Sequence, residues 1–296
     1  MSKNTESKNT RDTILVEDAK VVANTAYADG QHVVQLLAPR IANKSLPGQF
    51  IHIRCSDSLL MRRPMSIMRV DKKNGFVEFL FKIHGAGSAA LANLSAGDVI
   101  NVMGPIGKPF RLKEYKPHAI LIGGGVGIPP MIYLAEHLRA FDVQTIVFMG
   151  SEIPFPFKAK PSKILLNGLP QDVIAAMPLL EDWGIPSRLA TTSGYAGCFN
   201  GFVTELADYW IGEQKEIPAE DIEIFACGPT PMLKAVVNLA EKYQLANQIS
   251  LEEFMACAVG GCAGCTVLTN TPMGEKMQRV CVDGPVFDGN TVVFPT

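Results

Sequence analysis

Four cysteines near the end of the chain carry the most specific chemistry in the sequence. Cys257, Cys262 and Cys265 lie in the run CAVGGCAGC with the spacing C-x4-C-x2-C, and Cys281 follows after fifteen residues. That spacing is the plant-type arrangement of ligands for a [2Fe–2S] cluster. Structural zinc more often takes cysteines in close pairs, and Cys281 has no near neighbour in sequence. Zinc, disulfides and ordinary buried thiols are the competing readings. The glycines and alanines between the ligands let a tight loop wrap a cluster and aim backbone N–H groups at its sulfurs. Seven cysteines is an odd number, and the opening MSKNTESKNTRD has no apolar core of a signal peptide. Together these argue against a disulfide framework and for reduced thiols or metal ligands in the cytoplasm. Cys55, read as part of a strand, and Cys198, read as part of a loop, are taken as incidental thiols.

Two glycine-rich turns suit a nucleotide. In IGGGVGIPP, Gly123, Gly124, Gly125 and Gly127 separate an apolar strand from a helix. Backbone can approach a pyrophosphate closely there, and a helix N-terminus favours its charge. The competing reading is tight strand-to-helix packing, because Pro130 stands where the dinucleotide fingerprint has its third glycine. FACGPTPML is a second strand ending in a small-residue turn, at Cys227 and Gly228, and ligands of open parallel sheets sit beyond such strand ends. Cys227 is placed to approach a nicotinamide, with plain packing as the alternative. Glu152, after the strand ending FMG, is of the type that accepts hydrogen bonds from ribose hydroxyls and repels a 2′-phosphate, which favours NAD over NADP. A solvated glutamate at a strand end is the alternative. Upstream, RRPMSI offers Arg62 and Arg63 as guanidinium forks for a phosphate and Ser66 as a hydroxyl for a ring heteroatom. GAGS adds Gly85, Gly87 and Ser88 at a helix start, with Ser88 as its cap, making a second phosphate cradle. A surface ion pair for Arg63 and a simple turn at Gly87 are the alternatives.

These residues need elements to hold them. The polar residues 1–12 read as a disordered tail. From Thr13 to about Leu112 short strands alternate with turns; in VEFLFKI, Val77, Phe79, Phe81 and Ile83 alternate with Glu78, Leu80 and Lys82, the period of a strand with one face on a core. Strands at this spacing predict a small antiparallel barrel over 13–115. After Lys116 and Pro117, apolar strands alternate with helices, which predicts a Rossmann-like parallel α/β unit over 116–247. The helices then stop, and 248–296 forms a small loop-rich cysteine unit. At 296 residues with 47% hydrophobic composition, the chain can bury more than one core. The net charge of −2 gives no footprint for nucleic acid or an anionic membrane, and no apolar run is long and unbroken enough to span one.

RRPMSI, GAGS, GGGVGIPP, ACGPTPML, EEFMACAVGGCAGC and the closing VCVDGPVF stand in an order that resembles the electron-transfer subunits of class 1B dihydroorotate dehydrogenases, a family within the ferredoxin–NADP reductase superfamily. The resemblance runs from about Thr13 to the C-terminus and implies an oxidoreductase subunit with an FAD-binding barrel, a nucleotide-binding α/β domain and a C-terminal [2Fe–2S] domain. It implies FAD contacts from Arg63, Pro64, Met65 and Ser66, from Leu80, Phe81 and Lys82, and from Gly87 and Ser88, with Cys257, Cys262, Cys265 and Cys281 as cluster ligands. It also implies a partner, an FMN-containing catalytic subunit that oxidises dihydroorotate, in a heterotetramer of two chains of each kind that serves pyrimidine biosynthesis. Electrons then reach NAD+ through this chain, which needs no catalytic acid, base or nucleophile. FAD fits such a role because a flavin exchanges electrons singly or in pairs.

Three features depart from the pattern. Met65 stands where relatives often carry an aromatic residue, ATTSGYAGCFNGF lacks acidic residues near Thr192 and Ser193, and Ser151 to Arg188 is longer than usual, its proline-rich EIPFPFKAKPSK suggesting an inserted loop that serves as a contact surface. Two other functions compete. One is a related reductase subunit serving a hydrogenase, a sulfur reductase or an oxygenase, and the other is a non-enzymatic zinc-stabilised binding module.

Overall fold

A computed structural model describes residues 14–111 and 113–295; the tail expected over 1–12 lies outside them. The first unit is a closed antiparallel barrel in the order β1-β2-β5-β4-β3-β6. Its strands are β1 (Leu15–Tyr27), β2 (Gln31–Leu37), β3 (Phe50–Ile53), β4 (Arg63–Asp71), β5 (Phe76–Lys82) and β6 (Val99–Ile106), with short helices α1 (Pro39–Lys44) and α2 (Ala86–Ala92) at its ends. Alternation fills the barrel, since Val77, Phe79 and Phe81 of β5 join Ile51, Ile53 and Ile67 in one core. Each such large side chain contributes about 1.5–3 kcal/mol by leaving water. Two expectations change here. Ile83 falls just beyond β5 and is exposed, while Leu80, on the opposite face, is buried against the next unit. Cys55 lies two residues past the end of β3 rather than in a strand, though it is buried.

The second unit is a sheet in the order β12-β11-β8-β7-β13-β14-β17. Its elements in chain order are β7 (His118–Gly124), α3 (Ile128–Leu138), β8 (Gln144–Gly150), β9 (Lys160–Pro161), β10 (Ala175–Ala176), α4 (Pro178–Asp182), β11 (Ser187–Thr191), β12 (Phe199–Asn200), α5 (Val203–Glu213), β13 (Ile222–Cys227), α6 (Thr230–Tyr243) and β14 (Ala246–Ser250). The six sheet strands from β7 to β14 pair in parallel, and both faces of the sheet are covered. Ile120, Ile122, Ile146 and Phe148 pack with α5 and α6 on one face. Ala119, Leu121, Val147 and Met149 pack with α3 and α4 on the other. The chain leaves β7 in one direction to β8, β11 and β12, then returns to place β13 on its other side, so the topological switch point lies between β7 and β13.

The long segment from Ser151 to Arg188 carries short elements, while its stretch EIPFPFKAKPSK, expected as an inserted loop, is irregular apart from Lys160 and Pro161. The β9–β10 pair and α4 lie within it, and Arg188 fastens it from β11 by donating to the carbonyls of Val173 (3.0 Å), Ile164 (2.9 Å) and Ser187 (2.7 Å). A buried guanidinium satisfied by three carbonyls is expensive to release, so the segment is held against the sheet. Near the C-terminus come the hairpin β15 (Thr266–Thr271) and β16 (Gly274–Arg279), then β17 (Val286–Asp288), which pairs antiparallel with β14 and completes the larger sheet. The units are joined by polar contacts as well as by shared cores. Tyr133 donates to the Ser45 carbonyl at 2.9 Å, Gln31 Nε2 donates to the Pro154 carbonyl at 2.7 Å, and Arg111 pairs with the buried Glu223. No described helix is long and apolar enough to cross a membrane.

Candidate functional site

The cysteine segment coils because its backbone turns left-handed at three points, Ala258 (φ 55°), Gly260 (φ 80°) and Ala263 (φ 54°). For alanine this conformation costs about 1–2 kcal/mol per residue, and such strain gathers where a site demands it. The coil brings the cysteines near one another. The Cys262 N–H points at Cys257 Sγ (3.4 Å) and the Gly264 N–H at Cys262 Sγ (3.4 Å), while Cys265 and Cys281 are buried neighbours. Burial works against ionisation of Cys257, but backbone N–H groups, chiefly that of Cys262, outweigh it and bring the thiol down to about 6. Burial, and then the neighbouring Cys265, push Cys281 up to about 12. Among the described residues no three His, Cys, Asp or Glu side chains converge as a single-ion site would require. Cysteines on a tight coil with backbone N–H groups aimed at sulfur are a setting that suits an iron–sulfur cluster. Sequence spacing gave no sign of Arg279, which donates to the Gly260 carbonyl at 3.1 Å and pairs with Asp283 at 3.3 Å, tying the coil to the segment after Cys281.

On the barrel, Arg63 opens β4 and its Nη1 donates to the carbonyls of Met61 (3.0 Å) and Arg62 (3.1 Å). This holds the side chain over Gly87, where an added Cβ would lie 3.0 Å from Arg63 Nε. The structure thus joins RRPMSI to GAGS across the barrel mouth, with Pro64, Met65 and Ser66 half-buried on β4 and Leu80, Phe81 and Lys82 at the end of β5. Ser88 is not the helix cap expected. Gly85 takes that position with φ 82°, and Ser88, three residues on, accepts from the His84 N–H at 2.6 Å and donates to the Gly85 carbonyl at 3.2 Å. The left-handed turn at Gly85 starts the helix earlier than a serine cap would. A cradle without side chains, bordered by a guanidinium, fits a flavin nucleotide's phosphates.

At the carboxyl edge of the sheet, Gly123 is in register with Cys227, and Gly124 with Gly150. Both glycine turns therefore open at one edge, with Glu152 exposed two residues beyond β8. A Cβ at Gly127 would overlap the Cys227–Gly228 backbone, whereas Gly125 (φ 54°) has open space beside it. Cys227 is fully buried, and burial, then the Glu252 carboxylate, hold its thiol well above the ordinary range. The hydroxyl of Ser250, its register partner on β14, works the other way. Ser193 donates to the Glu152 carbonyl at 2.8 Å, so its hydroxyl steadies the turn after β8.

His52 was not singled out by its sequence context. It is wholly buried on β3, directly across from Pro64, and the Met255 backbone lies beside its ring, so it sits between the arginine strand and the cysteine segment. Burial, then the Arg62 charge, lower it to about 4. A histidine depressed in the folded state favours folding above its unfolded value near 6.5, and this contribution is lost as pH falls toward 4. Between pH 7 and 5 the loss amounts to about 2 kcal/mol. The melting temperature of the parent is expected to fall across that range more steeply than that of His52→Leu, and equal slopes would show that His52 does not carry the dependence.

Comparisons with known proteins agree with this layout. Residues 14–110 match the oxidoreductase FAD-binding domain, and residues 252–293 match the iron-sulfur cluster binding domain of dihydroorotate dehydrogenase B. The dihydroorotate dehydrogenase B (NAD(+)) electron transfer subunit of Listeria monocytogenes is 35% identical over 282 residues, covering 94% of this chain and 99% of the relative. The subunit of the same name from Desulforamulus reducens is 31% identical over 281 residues, covering 94% and 98%. Among solved structures, an NADH-dependent reduced ferredoxin-NADP oxidoreductase superposes with a TM-score of 0.75 at 22% identity, covering 93% of this chain and 90% of the other. A ferredoxin NADP+ reductase from Neisseria gonorrhoeae superposes with a TM-score of 0.57 at 16% identity, covering 77% and 91%. At those identities the two structures speak for the fold. With relatives alike over nearly their whole length, and with an FAD-binding barrel and an iron–sulfur domain at either end, the chain belongs to the family of dihydroorotate dehydrogenase B (NAD(+)) electron transfer subunits.

Proposed function

We propose that this chain is the oxidoreductase subunit that delivers to NAD+ the electrons of dihydroorotate oxidation, a step of pyrimidine biosynthesis carried out on an FMN-containing partner. The observation that carries the reading is a shared core. Met255, Ala258, Cys265 and Cys281 of the cysteine segment pack in one cluster with Phe50 and Ile106 of the flavin barrel. A cluster site and a flavin site fixed to one body keep their separation and orientation constant, which is what this chain must supply to electron transfer. When bound, FAD supplies a group that exchanges hydride with a nicotinamide and single electrons with an iron–sulfur centre.

In this reading Cys257, Cys262, Cys265 and Cys281 hold the cluster. Arg63, Pro64, Met65 and Ser66 hold FAD together with Leu80, Phe81, Lys82, Gly87 and Ser88. Gly123, Gly125, Gly127, Glu152, Cys227 and Gly228 line the NAD crevice. Residues 13–115, 116–247 and 248–296 are the corresponding functional divisions. The partner docks around the cysteine coil, where Cys262 is exposed and Phe254, at 94% exposure, and Val259 offer apolar contact. Two copies of each chain, as family resemblance implies, make the complex. A cytoplasmic setting agrees with seven cysteines that form no disulfide. Elemental analysis of the purified protein checks the cluster arm: two iron and two sulfide per chain are expected, and one zinc without sulfide would overturn it.

A further inference from the structure

The space between the two glycine turns is filled by the side chain of a residue that neither turn contains. Met232 is the third residue of α6, and its side chain reaches back over the helix start, as long side chains on helices do. A Cβ placed on Gly124 would overlap Met232 Sδ, and one placed on Gly228 would lie 2.9 Å from the same atom. The thioether therefore touches both glycines on the side where neither has a side chain. Those two glycines flank the switch point between β7 and β13, where a parallel sheet opens its ligand crevice. Met232 is only half-buried, so one side of it faces solvent. Among the described contacts no hydrogen bond fixes it, and its unbranched side chain, partly packed on the core, has three rotatable bonds.

We propose that Met232 is the plug of the nucleotide crevice. It occupies the gap between the glycine turns in the nucleotide-free protein and swings aside when a nicotinamide nucleotide enters, so that the ease of displacing it sets the affinity. This rests on the assignment of the crevice to NAD. A binding-competent state populated only in part weakens apparent affinity by that fraction. A plug that stands open for about a tenth to a third of the time therefore weakens binding about three- to tenfold.

The test uses the holocomplex with FAD and cluster content verified. Met232→Ala is expected to tighten NAD+ and NADH binding about three- to tenfold in equilibrium titrations. Met232→Leu, which keeps the volume but branches at Cγ, is expected to bind no more tightly than the parent. A side chain that merely packs the crevice gives the reverse order, with Met232→Ala weaker than Met232→Leu, and that result or an unchanged affinity in Met232→Ala overturns the plug. The methyl resonance of Met232 in protein labelled with 13C at methionine methyls, assigned by its absence in Met232→Ala, separates the two layers. If it moves on saturation with NAD+ while Met232→Ala fails to tighten binding, the plug falls and the crevice assignment stands. If it does not move at all, the assignment of the crevice falls with it.

Discussion

Cys281→Ser is expected to lower dihydroorotate-driven NAD+ reduction in the assembled complex at least about a hundredfold, since even outer-shell changes at metal sites cost 10- to 100-fold. Cys281 is 2% exposed, neighbours the buried Cys265, and shares the core that joins the coil to the barrel. Serine fits that space but is a poor ligand for iron, so the ligand set loses one of its four members. The barrel's arginine strand is untouched, and FAD content is expected to remain stoichiometric. NADH oxidation by a small dye that accepts electrons from the flavin should stay within about twofold of the parent, because catalysis at a site away from the change is insulated from it. A variant that retains both iron and dihydroorotate-driven turnover would remove Cys281 from the ligand set.

The second large effect is expected from Arg63→Ala. The guanidinium is held over Gly87 by two carbonyl contacts, at 3.0 and 3.1 Å, so it is oriented before any ligand arrives. A charge-assisted hydrogen bond contributes about 1.5–3 kcal/mol, so loss of this contact should weaken FAD binding about 10- to 150-fold. Flavin should then be lost on gel filtration of dilute protein and restored by excess FAD. Arg63→Lys is expected to recover only part of the affinity, because an ammonium supplies the charge without the planar fork. Stoichiometric flavin in Arg63→Ala after extended dilution would take Arg63 out of the flavin site.

Much of the architecture could be read from local pattern, and the failures share one cause. The alternation of Val77, Phe79 and Phe81 marks a barrel strand because a pleated backbone alone produces that period. The apolar runs of β7 and β13 mark buried parallel strands because both of their faces meet helices. The iron–sulfur domain could be read because the spacing of its cysteines is local to one stretch of chain. What escaped depends on contacts across the chain. β17 is three residues long and exists through pairing with β14. His52 reads as one polar residue in an apolar strand until Met255 is brought beside it. Arg188 looks like a surface cation, and it is buried because Ile164 and Val173 fold back over it. Met232 sits inside a quoted motif, ACGPTPML, but its contact with Gly124 spans the switch point and leaves no periodic trace.

The most direct measurement of the central claim is dihydroorotate-dependent reduction of NAD+ by this chain co-expressed with the FMN-containing catalytic subunit. The account predicts one NADH formed for each dihydroorotate oxidised, with neither subunit alone sustaining the reaction. An intact complex, fully loaded with FAD, FMN and cluster, that oxidises dihydroorotate with an artificial dye yet forms no NADH would contradict it.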